Sequence, residues 1–381
     1  MIPYLSGVIE KHIGVLGGGQ LGRMLVQKGL DWNIPFSVLD PDPTAPCHGL
    51  VPFTVGALTD ADTVRRFGDR CDIITIEIEH VNTQALEELE RAGKQVFPQP
   101  RVIALIQDKR SQKKFFKDHG IPTADFVITT GRDDVKNYPE FLPGVNKLGR
   151  GGYDGRGVQI IRSAADLGKA FDAPGILEKL ISFQTEISII VARNERGEIA
   201  SFPPVEMVFH PEANLVEYLF APATITDDVL ELADKIARKL IQELDMVGLL
   251  AIEMFVTPGG EVLVNEIAPR PHNSGHQTIE GNITSQYEQH LRALLNLPLG
   301  DTSLRSPSAM VNLLGEPGHE GPARYQGMDD VLAISGVYVH LYGKKSTRPF
   351  RKMGHVTILD DDVDSLKKKA NFVKNTLKVI S

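Results

Sequence analysis

The chain is poor in cysteine, has no long apolar run and carries no surplus of positive charge, and each shortage closes off a class of function. Only two cysteines, Cys47 and Cys71, occur in 381 residues, too few for a secreted scaffold stapled by disulfides. No uncharged apolar stretch approaches the ~20 residues that cross a bilayer. The first eleven residues lack the charged start and apolar core of a secretory signal. The formal net charge is −8 and the pI about 5.8, opposite to the basic surface that nucleic-acid binding requires. No internal repeat or low-complexity tract is present. These exclusions leave the expectation of a soluble, cytoplasmic protein with no membrane and no nucleic-acid partner. Its 42% hydrophobic and 24% charged residues are ordinary for globular chains, and the length suits two or three domains.

The first hundred residues alternate short apolar runs with helical spacing. Residues 12–16, 36–40 and 71–78 read as strands and 21–30 as a helix, the signature of a parallel sheet with crossover helices. This segment ends near Pro98-Gln99-Pro100. Residues 108–119 then read as a helix bearing Lys109, Lys113 and Lys114, stopped by Gly120-Ile121-Pro122. A β-rich stretch includes 185–192, and residues 227–244 form an amphipathic helix. Residues 337–342 and 355–359 read as strands, and 366–377 as a basic terminal helix.

Two glycine motifs stand out. Gly17-Gly18-Gly19-Gln20-Leu21-Gly22 fits G-x-G-x-x-G between a strand and a helix, and Asp40 ends the next strand. Alone this is a dinucleotide fingerprint, although glycine N–H groups at a helix N-terminus serve any phosphate. The second motif runs from Gly149 through Gly157 with five glycines in nine residues, preceded by Lys147. Such a loop suits a flap closing on the phosphates of ATP, and equally a flexible surface hairpin. No Gly-Lys-Ser/Thr follows, so it is not a Walker A loop.

The residue pattern speaks most strongly at Glu253 and Glu266. They lie on predicted strands 249–256 and 262–267, joined by Thr257-Pro258-Gly259-Gly260-Glu261. A two-residue Gly259-Gly260 turn pairs Glu253 with Glu266, Cβ atoms ~5 Å apart on one face. Two carboxylates so close repel unless a cation separates them, and Mg²⁺ held by one or two carboxylates plus phosphates fits; the alternative is a solvated charged hairpin, which the apolar neighbours Phe255, Val256, Val264 and Ile267 disfavour. The following segment, Ala268-Pro269-Arg270-Pro271-His272-Asn273-Ser274-Gly275-His276, cannot be a regular helix. His272 and His276 are therefore not paired zinc ligands on one helical face. A rigid loop offering Arg270, His272 and Asn273 to an anion is the better reading. Lys344, Lys345, Arg348, Arg351 and Lys352 concentrate positive charge in an acidic chain, as a phosphate-bearing substrate would require and as a solvated turn would also show.

Residues 17–24, 151–157, 186–193, 265–276, 285–300 and 351–355, in order and over nearly the whole chain, resemble the N5-carboxyaminoimidazole ribonucleotide synthetases of the ATP-grasp superfamily. The run 265–276 is the most specific. The resemblance implies a multidomain α/β and α+β chain. A Rossmann-like pre-ATP-grasp domain would cover 1–107, an ATP-grasp domain with its flap at 149–158 would cover 108–299, and a small β-rich C-terminal domain 300–381. It implies ATP and Mg²⁺ (or Mn²⁺) as cofactors, bicarbonate and 5-aminoimidazole ribonucleotide as substrates, and a homodimer. By matching position, the nucleotide would be met by Lys109, Lys147, Gly152, Tyr153, Asp154, Gly155, Arg156, Gly157, Val158, Glu178, Lys179, Leu180, Ile181, Glu186, His210, Asn265 and Glu266, and the metal by Glu253 and Glu266. Gln20, Leu21, Glu77, Tyr153, Asp154, Lys344, Arg351 and Lys352 would hold the ribonucleotide, and Arg270, His272, Asn273 and Lys344 would serve the chemistry. The chain departs from the family at Ile76 and Ile78, where aromatics are common, at His80 for Asn, Lys109 for Arg and Val158 for Gln.

Other readings stay open at this level. Another ATP-grasp ligase, such as a formate-dependent transformylase or a biotin-dependent carboxylase subunit, would share the ATP chemistry. A dehydrogenase would use residues 17–22 for NAD, and a nucleotide sensor would bind without turnover.

Overall fold

Short runs of buried aliphatic residues fix the first sheet. The computed structural model describes residues 10–152, 157–209 and 215–381. Strand β1 (Ile13–Leu16) is wholly buried and lies between β2 (Phe36–Asp40) and β4 (Ile73–Ile76), with β3 (Phe53–Val55) and β5 (Gln95–Val96) outside them. All four pairings are parallel, and the order β3-β2-β1-β4-β5 is that of half a doubly wound sheet. Helix Gln20–Leu30 makes the first crossover. Strand β4 is shorter than the 71–78 expected. At Glu77 the chain leaves the sheet, because that side chain turns back to the glycine loop, as described below.

Two further sheets form the cleft. A four-stranded antiparallel sheet has the order β6 (Phe126–Thr129), β9 (Gly175–Lys179), β7 (Gly144–Leu148), β8 (Val158–Ile161). Helix Lys109–Asp118 leads into it; the side chain of Asp108 accepts the Arg110 N–H at its start, and Gly120, at φ +59, follows its end. A nine-stranded sheet runs β15 (Val262–Ala268), β14 (Gly248–Val256), β10 (Thr185–Arg193), β12 (Val205–Phe209), β13 (Val216–Ala221), β16 (Ser308–Leu314), then Lys352–Leu359 and Val337–Leu341, with β11 (Ile199–Ser201) on β10. Helix Asp227–Glu243, N-capped by Thr226, lays Val229, Ala233, Ile236, Ala237, Leu240 and Ile241 on this sheet. That face meets Ile187, Ile189 and Val191 of β10, the alternate positions that a pleated strand turns to one side.

The C-terminal segment joins the large sheet where β16 pairs antiparallel with β13, and it also builds two small sheets of its own, Gly321–Pro322 with Ser346–Thr347 and Arg324–Gln326 with Lys378–Ile380. Helix Val363–Thr376 covers β16 through Leu366, Ala370 and Val373. It starts before the predicted residue 366 because Asp362 caps it, accepting the Ser365 N–H at 2.6 Å. Among the described residues no helix is long and apolar enough to cross a membrane.

Candidate functional site

The hairpin of β14 and β15 brings the two acids together by a different route from the one its sequence suggests. Glu253 does face Glu266. The turn, however, is not the two-residue type. Thr257 N–H donates to the Glu261 carbonyl and Gly260 N–H to that of Thr257, with Gly260 at φ +81, a three-residue loop closed by a left-handed glycine. Near the turn Val256 therefore pairs with Val262 and Met254 with Val264. A β-bulge at Asn265 then restores the Glu253–Glu266 match. Bulges re-aim side chains. Here Asn265 Oδ1 accepts from Lys147 Nζ at 2.9 Å, Asn265 Nδ2 reaches Glu186 Oε1 at 3.5 Å, and Glu266 Oε1 accepts from Lys109 Nζ at 2.6 Å.

The charges respond to this crowding. Burial, then the charge of Glu266, pushes Glu253 up to about 7. Burial, then the charge of Glu253, pushes Glu186 up to about 8. Glu266 keeps 46% of its side chain exposed; partial burial raises it, but Lys109 outweighs that and holds it below the usual range. Two facing carboxylates that resist joint ionisation fit a divalent cation. No group of three or more His, Cys, Asp or Glu among the described residues is arranged to hold a metal ion by itself, so any such ion would complete its shell with phosphate oxygens and water.

On the opposite sheet Glu178 is buried between two lysines, Lys113 Nζ at 2.8 Å and Lys147 Nζ at 2.9 Å. Burial opposes its charge, yet Lys147 and Lys113 hold its carboxyl down to about 2. Lys147, on β7, is raised because Glu178 outweighs the effect of burial. Lys113 goes the other way, lowered by burial to about 8. For Lys113 the sequence offers one signal of this role, its i,i+4 spacing from Lys109 on the same helix. Glu178, expected beside the adenine, spends both carboxylate oxygens on these lysines. Lys179 instead reaches Asp125 at 3.3 Å and lies over the Phe141 ring, and Leu180 is exposed.

The flap is anchored at its base. Asp108 Oδ2 accepts from Arg110 Nη2 at 2.6 Å and Arg150 Nε at 3.1 Å, and the Gly149 carbonyl takes the Lys109 N–H. Gly152, Gly157 and Val158 frame the loop, with Gly157 at φ +77 and Val158 paired to Lys147. Tyr153, Asp154, Gly155, Arg156 and His210 lie outside the described residues.

The loop after β15 presents its polar groups to the same cleft. Arg270 Nε meets Glu79 Oε1 at 2.8 Å. His272 Nε2 lies 3.6 Å from Glu253 Oε1, and burial lowers this imidazole far below its ordinary range. Asn273 is differently engaged: its amide exchanges two 2.9 Å hydrogen bonds with Asn312. Lys344 Nζ donates to Gln20 Oε1 at 3.0 Å and to the Lys352 carbonyl at 2.8 Å, which joins the C-terminal turn to the first helix. Lys352 also acts electrostatically on Glu253 and His272. Leu21 packs into the first domain's core, and Arg351 donates to Ser346.

The first glycine motif is filled by protein carboxylates. Glu77 takes the Gly19 N–H at 2.7 Å and the Gly22 N–H at 2.8 Å, and Asp40 takes that of Gly18 at 2.6 Å. A Cβ on Gly17 would stand 2.3 Å from Glu77 Cγ. The donors that a dinucleotide pyrophosphate would use are therefore occupied, and the fingerprint reading of residues 17–22 falls. Glu77, expected at the ribonucleotide, has both oxygens committed here.

Two opposed sheets closing on lysines and paired acids define an ATP-grasp protein, and residues 114–287 match the ATP-grasp domain. Residues 10–107 match the ribonucleotide synthetase preATP-grasp domain, and 308–369 the phosphoribosylaminoimidazole carboxylase C-terminal domain. The chain is 39% identical over 357 residues to the N5-carboxyaminoimidazole ribonucleotide synthase of Synechococcus elongatus, covering 91% of this chain and 89% of that one. It is also 39% identical to a chloroplastic phosphoribosylaminoimidazole carboxylase of Vigna aconitifolia, spanning 66% of that longer protein. The crystal structure of N5-carboxyaminoimidazole ribonucleotide synthetase from Thermotoga maritima superposes with a TM-score of 0.91 at 42% identity, over 97% of this chain and 99% of that one. An Aspergillus clavatus enzyme in complex with ADP and 5-aminoimidazole ribonucleotide gives 0.88 at 32%, over 97% and 99%. The chain belongs to the N5-carboxyaminoimidazole ribonucleotide synthase family.

Proposed function

We propose that this chain uses ATP to carboxylate 5-aminoimidazole ribonucleotide with bicarbonate, yielding N5-carboxyaminoimidazole ribonucleotide, ADP and phosphate in purine biosynthesis. One observation carries the reading: Glu253 and Glu266 face each other beside Lys109 and Lys147, a charge pattern suited to a metal-bound triphosphate. An oxygen of bicarbonate attacks the γ-phosphorus, and ADP leaves with carboxyphosphate formed. The exocyclic amine of the ribonucleotide then attacks the carboxyl carbon, and the departing phosphate takes the amine proton. Lys109 and Lys147 neutralise phosphate charge across the cleft. The glycine flap, pinned at Asp108, excludes water from an intermediate that hydrolyses. Arg270, His272 and Lys352 face the bicarbonate-derived anion, with Lys344 and Gln20 toward the ribonucleotide phosphate. Glu253 and Glu266 would hold Mg²⁺ or Mn²⁺, which would screen the repulsion between the phosphates and the incoming anion.

Bicarbonate- and ribonucleotide-dependent ADP release tests the proposal, and support by formate in place of bicarbonate would overturn it. Glu266→Ala is expected to abolish ATP turnover with the circular dichroism spectrum kept; unchanged turnover at saturating Mg²⁺ would reject the metal assignment. The proposal extends to a cytoplasmic homodimer, as the family likeness supports, and a single-chain mass in sedimentation would reject the dimer.

A further inference from the structure

His272 sits in a frame that no part of the reaction so far requires. Its main chain is gripped by Gln286, whose Oε1 accepts the His272 N–H at 2.8 Å and whose Nε2 donates to the His272 carbonyl at 2.8 Å. Gln286 is wholly buried. Gly275 makes the approach possible, since a Cβ there would stand 2.6 Å from the Gln286 amide. The residue therefore has an imposed backbone position on a loop that would otherwise be free to shift.

The ring is fixed as well. His272 Nδ1 receives the Ser274 main-chain N–H at 3.3 Å, a group that only donates. The lone pair of Nδ1 must face it, so the proton of the ring is on Nε2. Ser274 Oγ lies 2.8 Å from the same Nδ1 and therefore donates its one hydrogen there. Ser188 Oγ, 2.7 Å from Ser274 Oγ, must then be the donor in that pair. The three groups form a one-way chain, Ser188 to Ser274 to Nδ1, in which each hydroxyl hydrogen is assigned. Ser188 and Ser274 are both 2% exposed, so water does not compete. Ser188 comes from β10 at the position paired with Glu253, and Nε2 is the ring atom on the Glu253 side, 3.6 Å from Oε1.

We propose that Ser274, backed by Ser188, is a positioning residue that locks His272 with its proton on Nε2, so that the ring gives a hydrogen bond to the bicarbonate-derived anion and cannot serve as the base for the amine. This rests on the carboxylation reading above for the identity of the anion, but the tautomer does not. Partners that orient a site's ligating or reacting groups are worth about 10- to 100-fold when removed.

The test has two parts on the full-length enzyme. Long-range ¹H–¹⁵N correlation of ¹⁵N-histidine protein, with His272 assigned by His272→Gln, is expected to show an unprotonated Nδ1 and a protonated Nε2 without any substrate. A proton on Nδ1 overturns the proposal. In Ser274→Ala the same signals are expected to move toward a mixture of tautomers, and the ribonucleotide carboxylated per ADP released to fall about tenfold, with the KM for ATP unchanged. Ser274→Thr, which restores the hydroxyl, is expected to recover the ratio. A residue with only a structural role would lower thermal stability and both products together at constant ratio, and that result overturns the proposal. Should Ser274→Ala not fold, Ser188→Ala carries the same two readouts; an unmoved tautomer and an unmoved ratio there overturn it equally. ADP release that ignores bicarbonate while the Nε2 proton is in place would instead remove the carboxylation reading and leave the tautomer standing.

Discussion

Replacing Glu178 by glutamine is expected to destabilise the protein by several kcal/mol, in a way that depends on pH. Glu178 is buried between Lys113 and Lys147 at 2.8 and 2.9 Å. Because both ammonium groups touch one carboxylate, they stand roughly 6 Å apart, and at an effective dielectric of 20 their repulsion is about 3 kcal/mol. Removing one partner of a buried ion set costs about 3–5 kcal/mol by the same logic. Lys113 can relieve part of this by giving up its proton. In the wild type burial already lowers it from 10.5 to about 8, and without Glu178 it must fall further. The sign then follows from linkage. Below about pH 8 the variant's folded state holds fewer protons than its unfolded state, so its stability rises with pH by up to about 1.4 kcal/mol per unit, while the wild type gains nothing from Lys113 there. Urea unfolding at about pH 6, 7, 8 and 9 should show the variant's deficit shrinking up to about pH 8 and levelling off above it. A deficit under about 1 kcal/mol, or one that is flat across this range, would refute the reasoning.

Three other outcomes are expected. Gly17→Ala forces a Cβ to 2.3 Å from Glu77 Cγ at a residue with φ +104, and should cost about 3 kcal/mol in urea unfolding. Asp108→Asn removes the acid that grips Arg110 and Arg150; burial opposes the charge, but Arg110 and then Arg150 hold the Asp108 carboxyl down to about 2 from 3.8. This stabilisation is present above pH 4 or so and lost as pH falls toward 2; discounted for the solvent around exposed Arg150, it should amount to about 1 kcal/mol, and the KM for ATP should rise. Excess chelator should abolish the thermal shift that ATP produces in the presence of Mg²⁺, and a shift that survives chelation would count against a metal at Glu253 and Glu266.

Local features of this chain were legible and distant ones were not. The parallel first sheet and helix Asp227–Glu243 follow from periodicity within a dozen residues. The facing of Glu253 and Glu266 is arithmetic within one hairpin, and it succeeded although the turn was misjudged, because the extra loop residue and the bulge at Asn265 compensate. The Lys113–Glu178–Lys147 set joins residues tens of positions apart, and nothing in the local pattern pairs them. The glycine loop misled for the same reason. Its N–H groups are those of a phosphate cradle, and only the fold brings Asp40 and Glu77 from neighbouring strands to fill it. The small β-rich C-terminal domain was legible, and residues 308–369 match such a domain, but its junction with the large sheet through β16 on β13 is a pairing that period and turn chemistry cannot select.

The ion pairs of the cleft also give the proposed cation a reason to accompany a triphosphate. Lys109 is held by Glu266, and Lys147 by Glu178 and Asn265. A triphosphate arriving alone would have to compete with these carboxylates for the lysines, and would leave acids beside it with their charge unmet in a buried setting. Glu186 and Glu253, already raised by burial and by their neighbours, would be driven further toward their neutral, protonated forms by phosphate charge. On the proposed reading, a divalent ion held by Glu253 and Glu266 would change each of these terms at once. Such an ion, if held there, would meet the charge of both acids and free Lys109 from Glu266, while Glu178 would keep its hold on Lys147. The proposed metal site therefore predicts, from which lysine each glutamate already holds, that metal and nucleotide bind as one unit.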